Sequence, residues 1–232
     1  MKRIALIGAM DSEIDLLRKN MTEVHEEKIG KITFYLGKIE NQEVILFRSG
    51  VGKVNAAVGT VLAIREFGAE KIIFTGVAGA ISNELNILDI VISKNLAQHD
   101  FDLTGFGCPM GLIDGEESIY FEADEKLVEL ANLACSKVLT ENKAVIGTIA
   151  TGDQFIASKE KVKNIGETFG ALACEMEGAS VAQVAKSMDV PFVVIRAMSD
   201  KADGSAHMNY EEFKPVASSH SASIVVEILK NI

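Results

Sequence analysis

Short apolar runs alternate along the chain with segments in which apolar residues recur at every third or fourth position. The runs predict buried β-strands, and the helical spacing predicts amphipathic helices between them. Strands are predicted at 4–7, 32–36, 44–47, 71–80, 90–92, 145–150, 191–200 and in the run that opens at 172. Helices are predicted after the turn at 8–10, at 51–67, 124–138, 158–169 and 178–188, and from about 209, where Pro215 should fall early in the helix or kink it.

This regular alternation predicts the fold class. Strands that alternate with helices favour a central, mostly parallel sheet covered by helices on both faces. The chain has no linker, internal repeat or low-complexity tract, and the one long loop expected lies at 99–117. A length of 232 residues suits one α/β domain, so residues 1–232 are interpreted as a single domain.

Composition and charge narrow the function classes. The formal net charge is −10, and no basic run offsets it, so nucleic-acid binding is not expected. The start, MKRIALIGAM, is too short and too soon followed by acids to be a signal peptide, and no stretch is long enough to span a bilayer. The three cysteines are scattered, which is typical of reduced thiols in a cytoplasmic protein.

Acidic residues stand just beyond the ends of predicted strands. Ligands of open α/β sheets gather at the carboxyl ends of strands, and Glu13, Glu177 and Asp200 follow three such ends. Any one of them could be a helix cap or a surface group. Three together suit a reaction with a cationic transition state, which needs acid and base carboxylates nearby but no metal, covalent nucleophile or cofactor.

Other kinds of site are less well supported. The stretch SGVGKVNAA at 49–57 lacks the spacing of a phosphate-binding Walker loop, so a tight turn is favoured over backbone contact with a ligand, and TGVAGA at 75–80 is also interpreted as a glycine turn. His99, Asp100 and Asp102 could form a ligand cluster, but no metal-binding spacing accompanies them, and no metal is expected. Cys174 has carboxylate neighbours, which raise the pKa of a thiol, and is predicted to be core.

Seven motifs, in order and nearly end to end, resemble one family. They are IGAMDSEI at 7–14, SGVGKVNAA at 49–57, TGVAGA at 75–80, HDFDLTGFG at 99–107, TGDQFI at 151–156, CEMEG at 174–178 and RAMSDKAD at 196–203. The chain is similar to the bacterial 5′-methylthioadenosine/S-adenosylhomocysteine nucleosidases of the nucleoside phosphorylase/hydrolase superfamily. This resemblance implies a three-layer α/β/α sandwich with a mixed sheet that curls toward a barrel. It also implies hydrolysis of the N-glycosidic bond of 5′-modified adenosines.

The resemblance also implies roles for individual residues. Asp200 would protonate the imidazole ring of the purine, Glu13 would activate water, and Glu177 would hold the ribose hydroxyls and stabilise the cationic sugar. Arg196 would orient acids or water, and Glu175 would have a structural role. The remaining substrate contacts implied are Phe155 and Ile156 at adenine, Ala78 and Gly79 beside the purine, Met10, Val51 and Met176 at the ribose and 5′ region, Tyr210 near the 5′ group, and Phe106 in the partner's pocket of a homodimer.

Two departures from the family pattern concern the substrate. Val77 stands where relatives have a serine, and Tyr210 stands where a phenylalanine is common. The preference for the 5′ substituent is therefore left open, and 6-amino-6-deoxyfutalosine remains an alternative substrate. A phosphorylase would need arginines around its phosphate, and the resemblance implies one at the position where this chain has Phe74. A non-catalytic nucleoside-binding protein would be expected to lose one of the three acids.

Overall fold

Ten strands of one sheet run through the middle of the molecule. The computed structural model of the protein describes residues 3–202 and 206–232, with the side chains of 206–209 left out. The strands are β1 Arg3–Gly8, β2 Thr22–Ile29, β3 Ile32–Ile39, β4 Gln42–Arg48, β5 Ala69–Ala80, β6 Ile90–Gln98, β7 Phe121–Glu122, β8 Ala144–Thr151, β9 Ala171–Glu175 and β10 Phe192–Asp200. The helices are α1 Asp11–Lys19, α2 Lys53–Arg65, α3 Glu125–Val138, α4 Lys159–Phe169, α5 Gly178–Ser187 and α6 Ala206–Leu229.

Part of the sheet closes on itself. The strand order is β10-β6-β8-β9-β5-β1-β4-β3-β2, and β10 also pairs with β5. Strands β5, β10, β6, β8 and β9 therefore form a closed ring. Strand β1 pairs with β5 up to Phe74, and β9 pairs with it further along, at Gly79 and Ala80. The predicted curl toward a barrel is confirmed.

The sheet is mixed, and most of its paired positions are parallel. Among the described strands, five pairings are parallel and five are antiparallel. The parallel pairings contain more residue pairs in total, so the expectation of a mixed, mostly parallel sheet is confirmed. The β2-β3-β4 meander adds antiparallel pairs at one edge, and closure of the ring adds more, because β6 and β9 meet β10 and β5 in opposite directions.

Helices cover the sheet on both sides, as the sandwich prediction required. Helices α1, α3 and α6 pack together on one side over β5 and β10, while α2 and α5 pack together on the other. Every residue of β10 is buried, and its sequence FVVIRAMSD is apolar except at Arg196, Ser199 and Asp200. Among the described residues, no helix is long and apolar enough to cross a bilayer.

Three local expectations need correction. TGVAGA is not a turn, since β5 continues through it to Ala80. Strand β2 was not predicted, because its sequence TEVHEEKI is exposed at seven of eight positions and pairs only with β3 at the sheet edge. Strand β6 extends six residues beyond the predicted Ile92, to Gln98. Pro215 lies within the first half of α6, as expected.

Candidate active site

A cleft of about 470 Å³ opens at the carboxyl ends of β1, β5, β9 and β10. It is lined by Ala9, Met10, Glu13, Val51, Val77, Ala78, Gly79, Phe155, Cys174, Glu175, Met176, Glu177, Ser199, Asp200 and Tyr210. A smaller cavity of about 250 Å³ adjoins it and is lined by Gly79, Gln154, Phe155, Ile156, Cys174, Glu175, Met176 and Asp200. Four carboxylates from three parts of the chain thus meet at one concave site.

Glu13 enters the cleft from the first turn of α1. Its carboxylate is buried and accepts three backbone hydrogen bonds, with Oε2 at 2.6 Å from Ala9 N and 3.0 Å from Met10 N, and Oε1 at 3.0 Å from Val77 N. Burial raises the pKa of Glu13, although the Arg196 guanidinium and these N–H groups act in the opposite direction. A carboxylate with a raised pKa, held in one orientation, is suited to accept a proton from water.

Arg196 forms a buried ion pair with Glu175 under the cleft. The guanidinium Nε and Nη2 both donate to Glu175 Oε2, and the guanidinium lies 4.0 Å from the centre of the Phe74 ring. The Glu175 carboxylate also accepts from the Thr151 hydroxyl and from Gly178 N, the latter at 2.7 Å from Oε2. Because several groups donate to it, the Glu175 carboxylate is held in a fixed position and orients the groups around it.

Glu177 lies at the start of α5, beside the Glu175 carboxylate. It is buried, and its Oε1 accepts a hydrogen bond from Gly52 N at 2.8 Å. Burial, and then the Glu175 charge, raise the pKa of Glu177 to about 8, while Arg196 and the Gly52 N–H act against this rise. The site therefore favours the protonated form of Glu177 more than water does for an exposed glutamate.

Asp200 ends β10 and is 2% exposed. Its Oδ1 accepts from Ala202 N at 2.7 Å, and its Oδ2 accepts from the Ser199 hydroxyl at 2.9 Å. Oδ1 would lie 3.0 Å from a Cβ added at Gly79. Because Gly79 has no side chain, a ligand in the cleft can approach the buried Asp200 carboxyl group closely.

An aromatic pair forms the outer wall of the cleft. Phe155 is half exposed, and its ring meets Tyr210 edge to face, with centroids 5.8 Å apart and planes at 76°. The Tyr210 hydroxyl donates to Met10 Sδ at 3.1 Å. The Phe155 ring gives this wall an apolar surface toward the smaller adjoining cavity. The Tyr210 hydroxyl is a single polar group that faces Met10.

A glycine inside β5 explains how two charged groups approach the strand. A Cβ added at Gly76 would lie 2.5 Å from Glu13 Oε1 and 2.8 Å from Arg196 Nη1. Any larger residue would displace the carboxylate or the guanidinium. The motif TGVAGA is therefore required by close approach of side chains to the strand, not by a turn.

Ten of the twelve catalytic and substrate-contact residues predicted from the sequence line the cleft, and Ile156 lines the adjoining cavity. Phe106 is 86% exposed on a 3₁₀ turn at Thr104–Phe106, and its place in the pocket of a partner subunit stays a prediction. Two residues were predicted to orient or support the others. Glu175 lines the cleft, and Arg196 lies beneath it. Asp203, the last residue of the RAMSDKAD motif, lies outside the described residues.

Sequence reasoning missed two residues that hold the acids. Ser199 bonds to Asp200, and Thr151 bridges Glu175 to the start of α5 by accepting from Ala179 N at 2.8 Å. Each is a hydroxyl residue at the carboxyl end of a strand, and that position was the available signal.

Two alternative sites can be assessed from the geometry. Lys53 ends the GxGK stretch at residues 50–53. Its ammonium forms an ion pair with Asp100 at 2.6 Å, so its charge is compensated within the protein. Cys174 lines the cleft, but burial and then the charges of Asp200 and Glu175 raise the pKa of its thiol. Among the described residues, no group of three or more His, Cys, Asp and Glu side chains is arranged to hold a metal ion.

The chain is similar over its full length to proteins of known activity. The chain is 40% identical over 232 residues to an aminodeoxyfutalosine nucleosidase from Campylobacter jejuni, covering 100% of both. It is 42% identical over 231 residues to a 5′-methylthioadenosine/S-adenosylhomocysteine nucleosidase from Marinomonas sp., covering 99% of both. The crystal structure of the corresponding Neisseria meningitidis nucleosidase, in complex with methylthio-immucillin-A, superimposes with a TM-score of 0.96 at 39% identity, covering 100% of both chains.

The sequence profile of one family matches nearly the whole described chain. The match runs over residues 3–230 and therefore includes all ten strands and the acids of the cleft. Together with the full-length relatives, it shows that the chain belongs to the phosphorylase superfamily.

Proposed function

We propose that residues 1–232 form one nucleosidase domain that hydrolyses the N-glycosidic bond of 5′-methylthioadenosine and S-adenosylhomocysteine, and also that of 5′-deoxyadenosine. The observation that carries this proposal is the convergence of Glu13, Glu177 and Asp200 on one cleft. The nucleosidases to which the chain is similar over their full length support the same reaction.

The three acids divide the work of the reaction. Asp200 in its acid form gives its proton to the imidazole ring of the purine as the C1′–N9 bond breaks, so that adenine leaves as a neutral molecule. Glu13 takes a proton from the water that forms the new bond to C1′, and the products are adenine and the 5′-substituted ribose. Glu177 accepts hydrogen bonds from the ribose hydroxyls and stabilises the positive charge that develops on the sugar.

The walls of the cleft fit the rest of a nucleoside. Phe155 stacks on adenine, whose pairing edge meets the Ile156 backbone, while Ala78 and Gly79 allow close approach to the purine ring. The apolar side chains that contact ribose and the 5′ substituent are Met10, Val51 and Met176, with Tyr210 beside the 5′ group. Arg196, which lies beneath the cleft, and Glu175, which lines it, orient the catalytic acids.

Water is the nucleophile because, among the described residues, the cleft has no side-chain cation left unpaired to hold a phosphate dianion. Among the described residues that line the two cavities there is no lysine or arginine. Arg196 lies beneath them with its guanidinium bound to Glu175, and Phe74 lies under that guanidinium. Burying a phosphate dianion without a cation beside it would cost at least several kcal/mol, as for any unpaired buried charge.

The test is adenine release from 5′-methylthioadenosine in phosphate-free buffer. We expect the same rate with and without phosphate, and free 5-methylthioribose as the second product. A strict phosphate requirement, with a ribose 1-phosphate as product, would show that the chain is a phosphorylase.

A second substrate is favoured by one side chain. The Tyr210 hydroxyl places a polar group beside Met10, where a polar 5′ substituent would lie. The relative from Campylobacter jejuni is an aminodeoxyfutalosine nucleosidase. Comparison of kcat/KM for 6-amino-6-deoxyfutalosine and 5′-methylthioadenosine decides between them, and a value for the first at or above the second would make it the preferred substrate.

A homodimer completes the proposed site. Phe106 is 86% exposed, and α2 exposes Val54 and Val58, at 73% and 49%, on one face of the helix. Exposed apolar side chains one turn apart on a helix, as Val54 and Val58 are, are typical of subunit interfaces. We expect light scattering to give about twice the chain mass of 25.0 kDa, and Val54→Lys to lower it, whereas Val24→Lys on the edge strand β2 should not. An active wild-type monomer would contradict the proposal.

A further inference from the structure

The glycine turn before α2 makes a specific contact with an acid of the cleft. Gly50 and Gly52 have positive φ angles of 88° and 99°, which place the Gly52 N–H toward Glu177 Oε1 at 2.8 Å. Gly52 is also the residue that caps the N-terminus of α2. Glu177 therefore receives both a hydrogen bond and the favourable field of a helix N-terminus.

Three residues form a closed ring of contacts around this turn. Lys53 N donates to Asp153 Oδ1 at 2.8 Å, Asp153 N donates to Asp100 Oδ2 at 2.8 Å, and Lys53 Nζ donates to Asp100 Oδ1 at 2.6 Å. The ring ties the start of α2 to the segments that follow β6 and β8. It lies immediately beside Gly52, because Lys53 is the next residue along the chain.

The ion pair in this ring is shielded from solvent. The Lys53 and Asp100 side chains are 18% and 14% exposed, unlike most ion pairs on this protein. Burial alone would raise the pKa of Asp100, but the Lys53 ammonium and the Asp153 N–H outweigh it, and the pKa lies below its usual range. Lys53 also donates to Gln98 Oε1 at 3.1 Å. These contacts hold the turn in one conformation.

We propose that Lys53, Asp100 and Asp153 are positioning residues that hold the Gly52 N–H against Glu177, and so stabilise the ionised form of the sugar-binding carboxylate. This inference rests on the proposed function for its kinetic consequence. Its structural part, the placement of the Gly52 N–H, does not. It gives the GxGK stretch a role that neither a phosphate site nor a simple turn supplies.

The direction of the effect follows from the groups that face Glu177. Burial and the charges of Glu175 and Glu13 raise the pKa of Glu177, whereas Arg196 and the Gly52 N–H lower it. Glu175, Glu13 and Arg196 belong to other elements and are unchanged by substitutions of Lys53, Asp100 or Asp153. Only the Gly52 N–H depends on these three residues. Loosening the ring therefore removes one stabilising contact of the ionised form, and the pKa of Glu177 rises further.

Two substitutions that remove charges of opposite sign distinguish positioning of the Gly52 N–H from long-range electrostatics. Lys53→Met removes a cation, and Asp153→Ala removes an anion together with the acceptor for Lys53 N. If the ring positions Gly52, both variants should move the acidic limb of the kcat/KM profile upward by about one pH unit. At pH 7, kcat/KM should fall about tenfold, with the difference shrinking at high pH, where Glu177 is ionised in every variant. If only long-range charge acts, the acidic limb moves upward in Lys53→Met and downward in Asp153→Ala. That result would overturn the proposal.

Conservative variants supply the rescue and the control. Lys53→Arg keeps the cation and Asp153→Asn keeps the acceptor oxygen, so both should restore most of the wild-type profile. Lys163→Met removes an exposed lysine from an i,i+4 pair with Glu167 and should leave the limb in place. If Lys53→Met does not fold, Asp153→Ala decides the question alone, since it leaves the Lys53–Asp100 pair intact.

Hydrogen exchange of the Gly52 amide tests the contact without any substrate. We expect slow exchange in the wild type and faster exchange in Lys53→Met and Asp153→Ala, while Lys163→Met matches the wild type. Unchanged exchange together with an unchanged limb would overturn the proposal. A wild-type protein that releases no adenine would instead refute the proposed function, and the exchange rates would still show whether the ring holds Gly52.

Discussion

The Arg196 guanidinium is bound to the Glu175 carboxylate, with Nε 3.2 Å from Oε2, and the side chains are 1% and 2% exposed. This pair lies under a cleft that contains three further carboxylates, Glu13, Glu177 and Asp200. A cation at its base makes that concentration of negative charge tolerable. Both Glu13 and Glu177 have pKa values that the Arg196 charge lowers.

Arg196→Met should destabilise the protein strongly. Removing one partner of a buried ion pair leaves an uncompensated charge and costs about 3–5 kcal/mol of unfolding free energy. Urea denaturation measures this loss. Glu175→Gln combined with Arg196→Met should recover part of it, because neither charge then remains. Arg48→Met, in an exposed pair with Asp11, should cost about 1 kcal/mol or less. A similarly small loss for Arg196→Met would contradict the role given to the pair.

Asp200→Asn should separate protonation of the leaving group from binding. Asparagine keeps an acceptor for Ala202 N but cannot give a proton to the purine. Turnover should fall by about 10²–10⁴-fold, while calorimetry with an inert adenosine analogue should show little loss of binding. A riboside of 4-nitrophenol, whose leaving group departs as a stable anion, should lose far less rate. The exposed Asp189→Asn serves as the control, and near-normal turnover of Asp200→Asn would refute the assignment.

Glu177→Gln should stabilise the protein at high pH. The pKa of Glu177 is raised to about 8 in the fold, so the folded state holds a proton that the unfolded chain releases near pH 4.5. The stability that this group contributes is complete below about pH 4.5 and is lost as the pH rises through about 8. The variant lacks this loss and should exceed the wild type by roughly 2–4 kcal/mol at pH 9, with little difference at pH 4. Equal stability of the two proteins at pH 9 would contradict the raised pKa.

The same substitution should weaken catalysis. A neutral amide makes weaker hydrogen bonds to the ribose hydroxyls than a carboxylate and does not stabilise a cationic sugar. The acidic limb of kcat/KM that belongs to Glu177 should vanish in Glu177→Gln, with the remaining activity low at every pH. Persistence of that limb would assign it to another group.

Tyr210→Phe should alter the preference for the 5′ substituent. The phenol bonds to Met10 Sδ and is available to a polar 5′ group, whereas a methylthio group has little use for it. We expect kcat/KM for S-adenosylhomocysteine to fall about two- to tenfold relative to 5′-methylthioadenosine, the value of one neutral hydrogen bond. Tyr35→Phe, whose hydroxyl accepts from Arg18 on the surface, should leave the ratio unchanged. An unchanged ratio in Tyr210→Phe would exclude its role in selectivity.

Local pattern was sufficient for most elements of this fold. The apolar runs of β1, β4, β8 and β10 and the periodicity of α2 to α5 appear in the structure close to their predicted bounds. These segments were predictable because their apolar faces must be buried whatever their partners are. Strand β2 was not, since at a sheet edge its two faces are both polar and only pairing with β3 makes it a strand.

The sequence by itself determined which side chains are available and where each lies on its element. The strand-end rule selected Glu13, Glu177 and Asp200 from 33 acidic residues, and the resemblance to known nucleosidases supplied their roles. Only the tertiary structure decided how these groups are held. Closure of the ring through β5, β9 and β10 places Arg196 on Glu175, and the turn before α2 places Gly52 on Glu177. Such contacts join residues 21 and 125 positions apart, and their geometry depends on packing and strand register that no local pattern encodes.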